Sequence, residues 1–409
     1  MNSFGLMRLP RSVLFGCGQR HALGNLAAQL GRRALICTDQ RLAADEAFRS
    51  LLADLQRAGL VTRVFDRTEP DLPVESLLDC VSDAGGFAPD LVIGVGGGSC
   101  LDLAKATALL LKLGGRIDSY YGELKVPEPT LPVIAIPTTA GTGSEVTPVA
   151  VIGATDRKMK IGISSPFLIP VAALCDPELT VSCPPVLTAS SGGDALTHAI
   201  ESFTACARTV TPELALEQVF VGKNIFSDHF ALLAITSIWK SLGKAFVNGA
   251  DLQARTDLML GSLAAGCAFG TAGTAAAHAL QYPVGNLTHT AHGAGVASLL
   301  PYVMEFNRTA CIPAFAQIAR AVGLTDPSDS DDGLSRRLIE AVASLLASVG
   351  IPRTLAELGL SADQQDWTAE NAAAITRLTK NNPRPLDLPA LRRITQAAFT
   401  GDRASLRHG

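Results

Sequence analysis

The stretch DLVIGVGGGSCLDLAKA, residues 90–106, constrains the fold more than any other part of this 409-residue chain. Its first half is a short apolar run without alternation, the pattern of a strand buried on both faces of a parallel sheet. Three glycines and a serine follow, then apolar residues at helical spacing. Strand, turn and helix in that order make half of a βαβ unit, and the same alternation recurs around it. RALICTD reads as a strand, QRLAADEAFRSLLADLQRAG as a helix, VTRVFD as a strand and VESLLDCVSDAGG as a helix. LPVIAIP is a further strand, and VAVIGA with KMKIGIS reads as a hairpin. The first half is therefore expected to be a parallel sheet with helices on both faces.

Beyond about residue 185 the pattern changes. PPVLTASSGGDALTHAIESFTA, SDHFALLAITSIWKSLGKAF, DLQARTDLMLGSLAAGCAFG and SRRLIEAVASLLASVG all read as helices, with no strand signal of comparable strength. The expected organisation is an α/β domain over residues 1–185, Rossmann-like, and an all-helical domain over 186–409. Apolar residues make up 47% of the chain and charged residues 18%, which suits two well-buried cores rather than a disordered chain.

Several function classes are disfavoured. A net charge of −4 and a pI near 6.0 offer no electrostatic footprint for nucleic acid. Arg8, Pro10 and Arg11 interrupt the N-terminal apolar stretch, so no signal peptide is expected. No eighteen apolar residues run uninterrupted, so no membrane span is expected either. Nine scattered cysteines without a CxxC pair suit free thiols in a reducing cytoplasm.

The glycine turn carries the first candidate site. Glycines let a backbone approach a ligand closely, and the helix that follows offers unpaired N–H groups and a positive dipole end to a pyrophosphate. A tight strand-to-helix connection without a ligand would use the same residues. Asp39, ending the strand ALICTD, can accept hydrogen bonds from an adenosine ribose and repel a 2′-phosphate, favouring NAD over NADP. It serves equally as a helix N-cap. In IPTTAGTGSEVTP, Thr138, Thr139, Thr142, Ser144 and Thr147 crowd short hydroxyls into a loop at a strand's end, as ligand contacts would.

The second site is in the helical half. Only seven histidines occur, and three lie in HALQYPVGNLTHTAH, residues 278–292. Upstream, GGDALTHAIES places Asp194 and His198 four apart, on one helix face. One carboxylate with His278 and either His289 or His292 would suit a divalent transition ion such as Fe²⁺ or Zn²⁺. Histidines satisfying hydrogen bonds within a helical core are the alternative.

With these stretches in view, the sequence resembles the iron-containing, or group III, alcohol dehydrogenase family. GGGSCLDLAK, PTTAGTGSEVT, GGDALTHAIESF, HALQYPVG with HGAGVASLLPYVMEFN, and the late TKNNPRPLDLPAL carry the likeness, over roughly residues 10 to 400. The resemblance implies a dinucleotide-binding domain followed by a helical metal-binding domain, as in dehydroquinate synthase-like folds. It implies metal ligands Asp194, His198, His278 and His292, which sets His289 aside. It implies NAD contacts at Asp39, Gly97, Gly98, Ser99, Thr138, Thr139, Thr142 and Lys160. The activity implied is hydride transfer between NAD and a small alcohol, aldehyde or hydroxyacid, and family members are commonly homodimers. Many members have a second histidine, linked to proton transfer, where this chain has Tyr282. Tyr282 and His292 are thus the candidate catalytic side chains beside the ion. Tyr282 and an insertion around PELALEQVFVGKNIFSDHF are similar to the branch containing hydroxyacid–oxoacid transhydrogenase. Competing readings are a glycerol dehydrogenase-like member and a non-enzymatic nucleotide-binding protein. The latter predicts broken ligand or glycine motifs, and neither is broken.

Overall fold

The computed structural model describes residues 4–154, 159–325 and 329–407. Two compact units divide it, one of Arg8–Ser182 with Pro212–Val219, the other of the N-terminal residues to Met7, Cys183–Thr211 and Phe220 onward.

The first unit holds strands β1 (Ser12–Phe15), β2 (Arg33–Cys37), β3 (Val61–Phe65), β4 (Leu91–Gly96), β5 (Gly122–Glu123), β6 (Val133–Pro137), β7 (Val149–Ala154), β8 (Met159–Ser164) and β9 (Ala172–Cys175). Six form one parallel sheet in the order β1-β9-β6-β4-β2-β3. β4 and β6 are buried at every position, which is why their sequences run apolar without alternation. β7 and β8 pair antiparallel as the expected hairpin, with β5 beside β8; the hairpin's tip lies outside the described residues. β1 and β9 were not foreseen from sequence, each being four residues long with too little pattern to read.

The unit's helices are α1 (Leu23–Leu30), α2 (Gln40–Ala43), α3 (Glu46–Arg57), α4 (Val74–Gly85) and α5 (Gly98–Leu113). The single helix expected after β2 is therefore two. Asp39 caps α2 by accepting from Leu42 N, and Asp45 starts α3 by accepting from Ala47 N. The one-turn helix α7 (Leu214–Glu217) belongs here too: the Arg8 guanidinium donates to the carbonyls of Ala215 and Val219.

The second unit is helical: α6 (Pro185–Thr204), α8 (Ile225–Val247), α9 (Leu252–Ala272), α10 (Ala276–Thr288), α11 (His292–Ala321), α12 (Asp331–Ser348), α13 (Gln365–Ala374), α14 (Thr376–Thr379) and α15 (Leu388–Thr400). Among the described residues it contains no strand, only an isolated bridge between Ala207 and Gly222. α6 packs against α8, α9 and α11 at its centre. By length and composition alone, α8 is long and apolar enough to cross a membrane. Its apolar residues are interrupted by Ser, Thr and Lys, and one face of it packs against α6 and α9.

Candidate active site

The metal-type cluster is built by three close helix approaches. α6 presents Asp194 and His198 from one face, one turn apart and both buried. The glycines around them explain how neighbours come so near. A Cβ on Gly193 would lie 2.8 Å from the Ala297 Cβ, and one on Gly293 would lie 2.3 Å from the Ser190 carbonyl oxygen. α11 can thus press its first turn on α6, and its first residue is His292. His278 stands in the first turn of α10, whose approach is held by the late NN motif: Asn381 Nδ2 donates to the carbonyls of Ala272 and Thr274, spanning the α9–α10 link.

The four side chains converge on Asp194 Oδ1. His198 Nε2 is 3.6 Å away, His278 Nε2 3.6 Å and His292 Nε2 4.0 Å. One ligand-type atom from each of Asp194, His278 and His292 lies within 4.8 Å of the others. These separations are too long for hydrogen bonds. Two metal bonds of about 2.1 Å at a tetrahedral angle would set their donors roughly 3.4 Å apart, close to what is seen. Asp194 Oδ1 and His278 Nε2 are both buried without a hydrogen-bond partner, which in an apolar interior is costly unless something else engages them.

The electrostatics agree. Burial would raise the Asp194 carboxyl, yet the imidazoles of His198, His278 and His292 hold it well below the usual range. Burial pulls His278 down, and the Glu201 and Asp194 carboxylates override it, to about 9. The pocket thus demands a positive charge, supplied by a proton when nothing else is present.

Glu201 is the residue that sequence reasoning missed. Its Oε2 accepts from His278 Nδ1 at 2.6 Å and from Ala275 N at 2.9 Å, and its Oε1 accepts from Ala277 N at 2.6 Å. It caps α10 and fixes the imidazole tautomer with Nε2 turned toward Asp194. The signal was present: Asp194, His198 and Glu201 fall at i, i+4 and i+7, one stripe of one helix. Phe269 stacks on His198 with ring centroids 4.1 Å apart, and the Tyr282 ring lies 5.9 Å from His292. His289 is exposed and ends α10 in a left-handed conformation, away from the cluster.

In the first unit, Gly97 is the N-cap of α5 and Gly98 its first residue. Gly96 has φ +152°, a conformation reserved for glycine. The two loops that follow β4 and β6 meet: a Cβ on Gly98 would lie 2.7 Å from Thr142 Cγ2, and one on Gly97 3.5 Å from Thr139. Thr139 and Thr142 are half-buried beside the turn, while Thr138 is fully buried. Ser99 Oγ accepts from Asp71 N, and Lys160 pairs with Asp71 at 2.5 Å, so both adjoin one loop. Asp39 spends one oxygen on the α2 cap.

Also unforeseen is a buried polar group behind this turn. Asp102 accepts from Ser144 Oγ and Val151 N, and Lys105 Nζ donates to the carbonyls of Thr147 and Val149. With buried Glu145 alongside, they bind α5 to the threonine-rich loop.

The comparisons with known proteins match this picture. The family model described as iron-containing alcohol dehydrogenase covers residues 10–177, and its Fe-containing C-terminal counterpart covers 188–399. The chain is 38% identical to long-chain-alcohol dehydrogenase 1 of Geobacillus thermodenitrificans, over 90% of each chain. It is 33% identical to the NAD-dependent methanol dehydrogenase of Bacillus methanolicus, over 96% of this chain and 99% of that one. A crystal structure of 1,3-propanediol oxidoreductase superposes with a TM-score of 0.90 at 31% identity, covering 97% of this chain and all of the other. The chain belongs to the iron-containing alcohol dehydrogenase family. Its activity is that of a metal-dependent alcohol oxidoreductase.

Proposed function

We propose that the chain oxidises a small alcohol, or reduces the matching aldehyde, with NAD as the hydride partner and Fe²⁺ (or Zn²⁺) held by Asp194, His198, His278 and His292. The carrying observation is the convergence of those four side chains on Asp194 Oδ1, two of their polar atoms buried and unpartnered. One carboxylate and three imidazoles are the donor set a divalent first-row ion takes. When bound, the ion supplies Lewis-acid polarisation of the substrate oxygen, and the nicotinamide supplies the hydride acceptor.

The rest is the work of this chain's side chains. Asp194 brings negative charge, and the imidazoles stay neutral ligands as long as Glu201 holds the His278 proton on Nδ1. His292, about one quarter exposed, is the accessible edge of the cluster, and the buried Tyr282 ring lies beside it. Tyr282 is the group assigned to hydrogen-bond the substrate oxygen and pass a proton, in place of the histidine other members carry. The turn Gly97-Gly98-Ser99 at the α5 N-terminus seats the pyrophosphate, with Thr138, Thr139, Thr142 and Lys160 around it. Asp39 Oδ2 is left for the ribose, which favours NAD. The relative named an NAD-dependent methanol dehydrogenase supports that cofactor. No disulfide joins any of the nine cysteines, which supports a cytoplasmic setting, and a homodimer is the assembly assigned, checked by light scattering.

The test is metal analysis together with NADH formation over a panel of short alcohols, diols and hydroxyacids. Asp194→Ala and His278→Ala are expected to lose metal and turnover together. Full turnover by either metal-free variant would overturn the assignment.

A further inference from the structure

A cavity of about 380 Å³ lies within the helical unit, lined by α11, α12, the 351–357 connection and the one-turn helix Arg403–Leu406. None of the metal-cluster side chains lines it. We propose that it is a second small-molecule site, one that takes a short-chain monocarboxylate.

Two of its lining residues each carry a buried donor without a hydrogen-bond partner. Ser298, only 3% exposed, leaves its Oγ without a hydrogen bond. A helical serine normally turns its hydroxyl back to the carbonyl one turn earlier, and this one does not. Arg403 Nη2 donates to Glu340 at 2.6 Å, but its buried Nη1 donates to nothing. A guanidinium does not lose its proton, so this N–H has a hydrogen bond still to give.

The rest of the lining selects among acceptors. Pro301, Leu346 and Ile351 give an apolar wall suited to a few carbons. Glu340 and Glu357 face the same space with Arg353 and Arg403, so the charge is balanced and a dianion such as phosphate is disfavoured. Glu340 is already occupied by Arg403 and Arg407, and Glu357 by the Arg353 backbone N–H, so neither satisfies Nη1. A single carboxylate head with a short aliphatic tail meets both walls. Such volumes fall within the range of small-ligand pockets.

The experiment is calorimetric titration of butyrate, and separately of 1-butanol, into the parent protein, Ser298→Ala and Ala347→Leu. Ser298→Ala removes one donor, and Ala347→Leu fills the cavity from α12. Butyrate is expected to bind the parent, about tenfold more weakly to Ser298→Ala, and not detectably to Ala347→Leu. Butanol binding and alcohol turnover are expected to be unchanged by either substitution, which separates this site from the metal cluster. Absence of butyrate binding, equal binding to all three proteins, or butanol weakened in parallel would overturn the proposal.

Discussion

Glu201 Oε2 accepts from His278 Nδ1 at 2.6 Å, with both side chains buried, and the same carboxylate caps the helix on which His278 stands. One group therefore sets the tautomer, the ring orientation and the position of a proposed ligand. Outer partners of this kind typically change metal affinity by about 10–100-fold when altered. Glu201→Gln keeps an acceptor of nearly the same shape but removes the charge. It is expected to lower metal affinity within that range while the fold survives, as read by metal titration alongside circular dichroism. Unchanged affinity would mean that Glu201 is only a helix cap.

Gly97 separates what the fold needs from what a cofactor needs. Its φ is −76°, open to any residue, and an added Cβ would come no closer than 3.5 Å to Thr139. Nothing in the protein demands glycine there. A pyrophosphate resting on the α5 N-terminus would demand it. Gly97→Ala is therefore expected to keep its melting temperature yet raise the KM for NAD by about tenfold or more, equivalent to roughly 1.4 kcal/mol. Metal content should not change. A variant binding NAD like the parent would remove the pyrophosphate from this turn.

What could be read from sequence follows how local each signal is. β2, β3, β4 and β6 were legible because a strand buried on both faces leaves an unbroken apolar run, and α6, α8, α9 and α12 because their length sums many weak preferences. β1 and β9 were not, since each is only four residues long and they pair with one another, Ser12 against Ala172, across more than a hundred residues. The break between α2 and α3 turns on Asp45 preferring a cap to a helix interior, a choice that only coordinates reveal. In the site, Asp194 and His198 announce themselves by spacing. The convergence of His278 and His292 on them was carried by family likeness, and Glu201 was overlooked because a lone glutamate on a helix usually faces solvent. Asp102 and Lys105 were passed over for the same reason, although α5 is apolar on almost every side and leaves no solvent for them to face.

Those buried charges give the stability a pH signature. Burial pushes the Glu145 carboxyl up to about 7. Burial pulls the Lys105 amine down to about 8, against the opposing charges of Asp102 and Glu145. For Glu145 the folded state holds its proton more tightly than the unfolded chain, whose value is near 4.5. Its contribution is therefore fully present below pH 4.5 and lost as pH rises through about 7. Glu145→Gln has no such proton to lose. The melting temperature of Glu145→Gln minus that of the parent is expected to grow across this window. A difference that stays level with pH would show that Glu145 is ionised at no cost in the folded protein.

The last test concerns the contact that brings α11 onto α6. A Cβ at Gly293 would lie 2.3 Å from the Ser190 carbonyl oxygen, which is helix backbone and cannot swing aside. The helices must separate, and His292, next to Gly293, must move with α11. Overpacking of this kind costs about 1–3 kcal/mol. Gly293→Ala is expected to lose stability on that scale and to weaken metal binding as well. Gly243 in α8 is the control, because a Cβ there would meet nothing within 4 Å. Gly243→Ala should be neutral or more stable, by up to about 1 kcal/mol, since alanine is the better helix residue. Equal melting temperatures and metal affinities for the two variants would show that the α6–α11 approach does not set the geometry of the cluster.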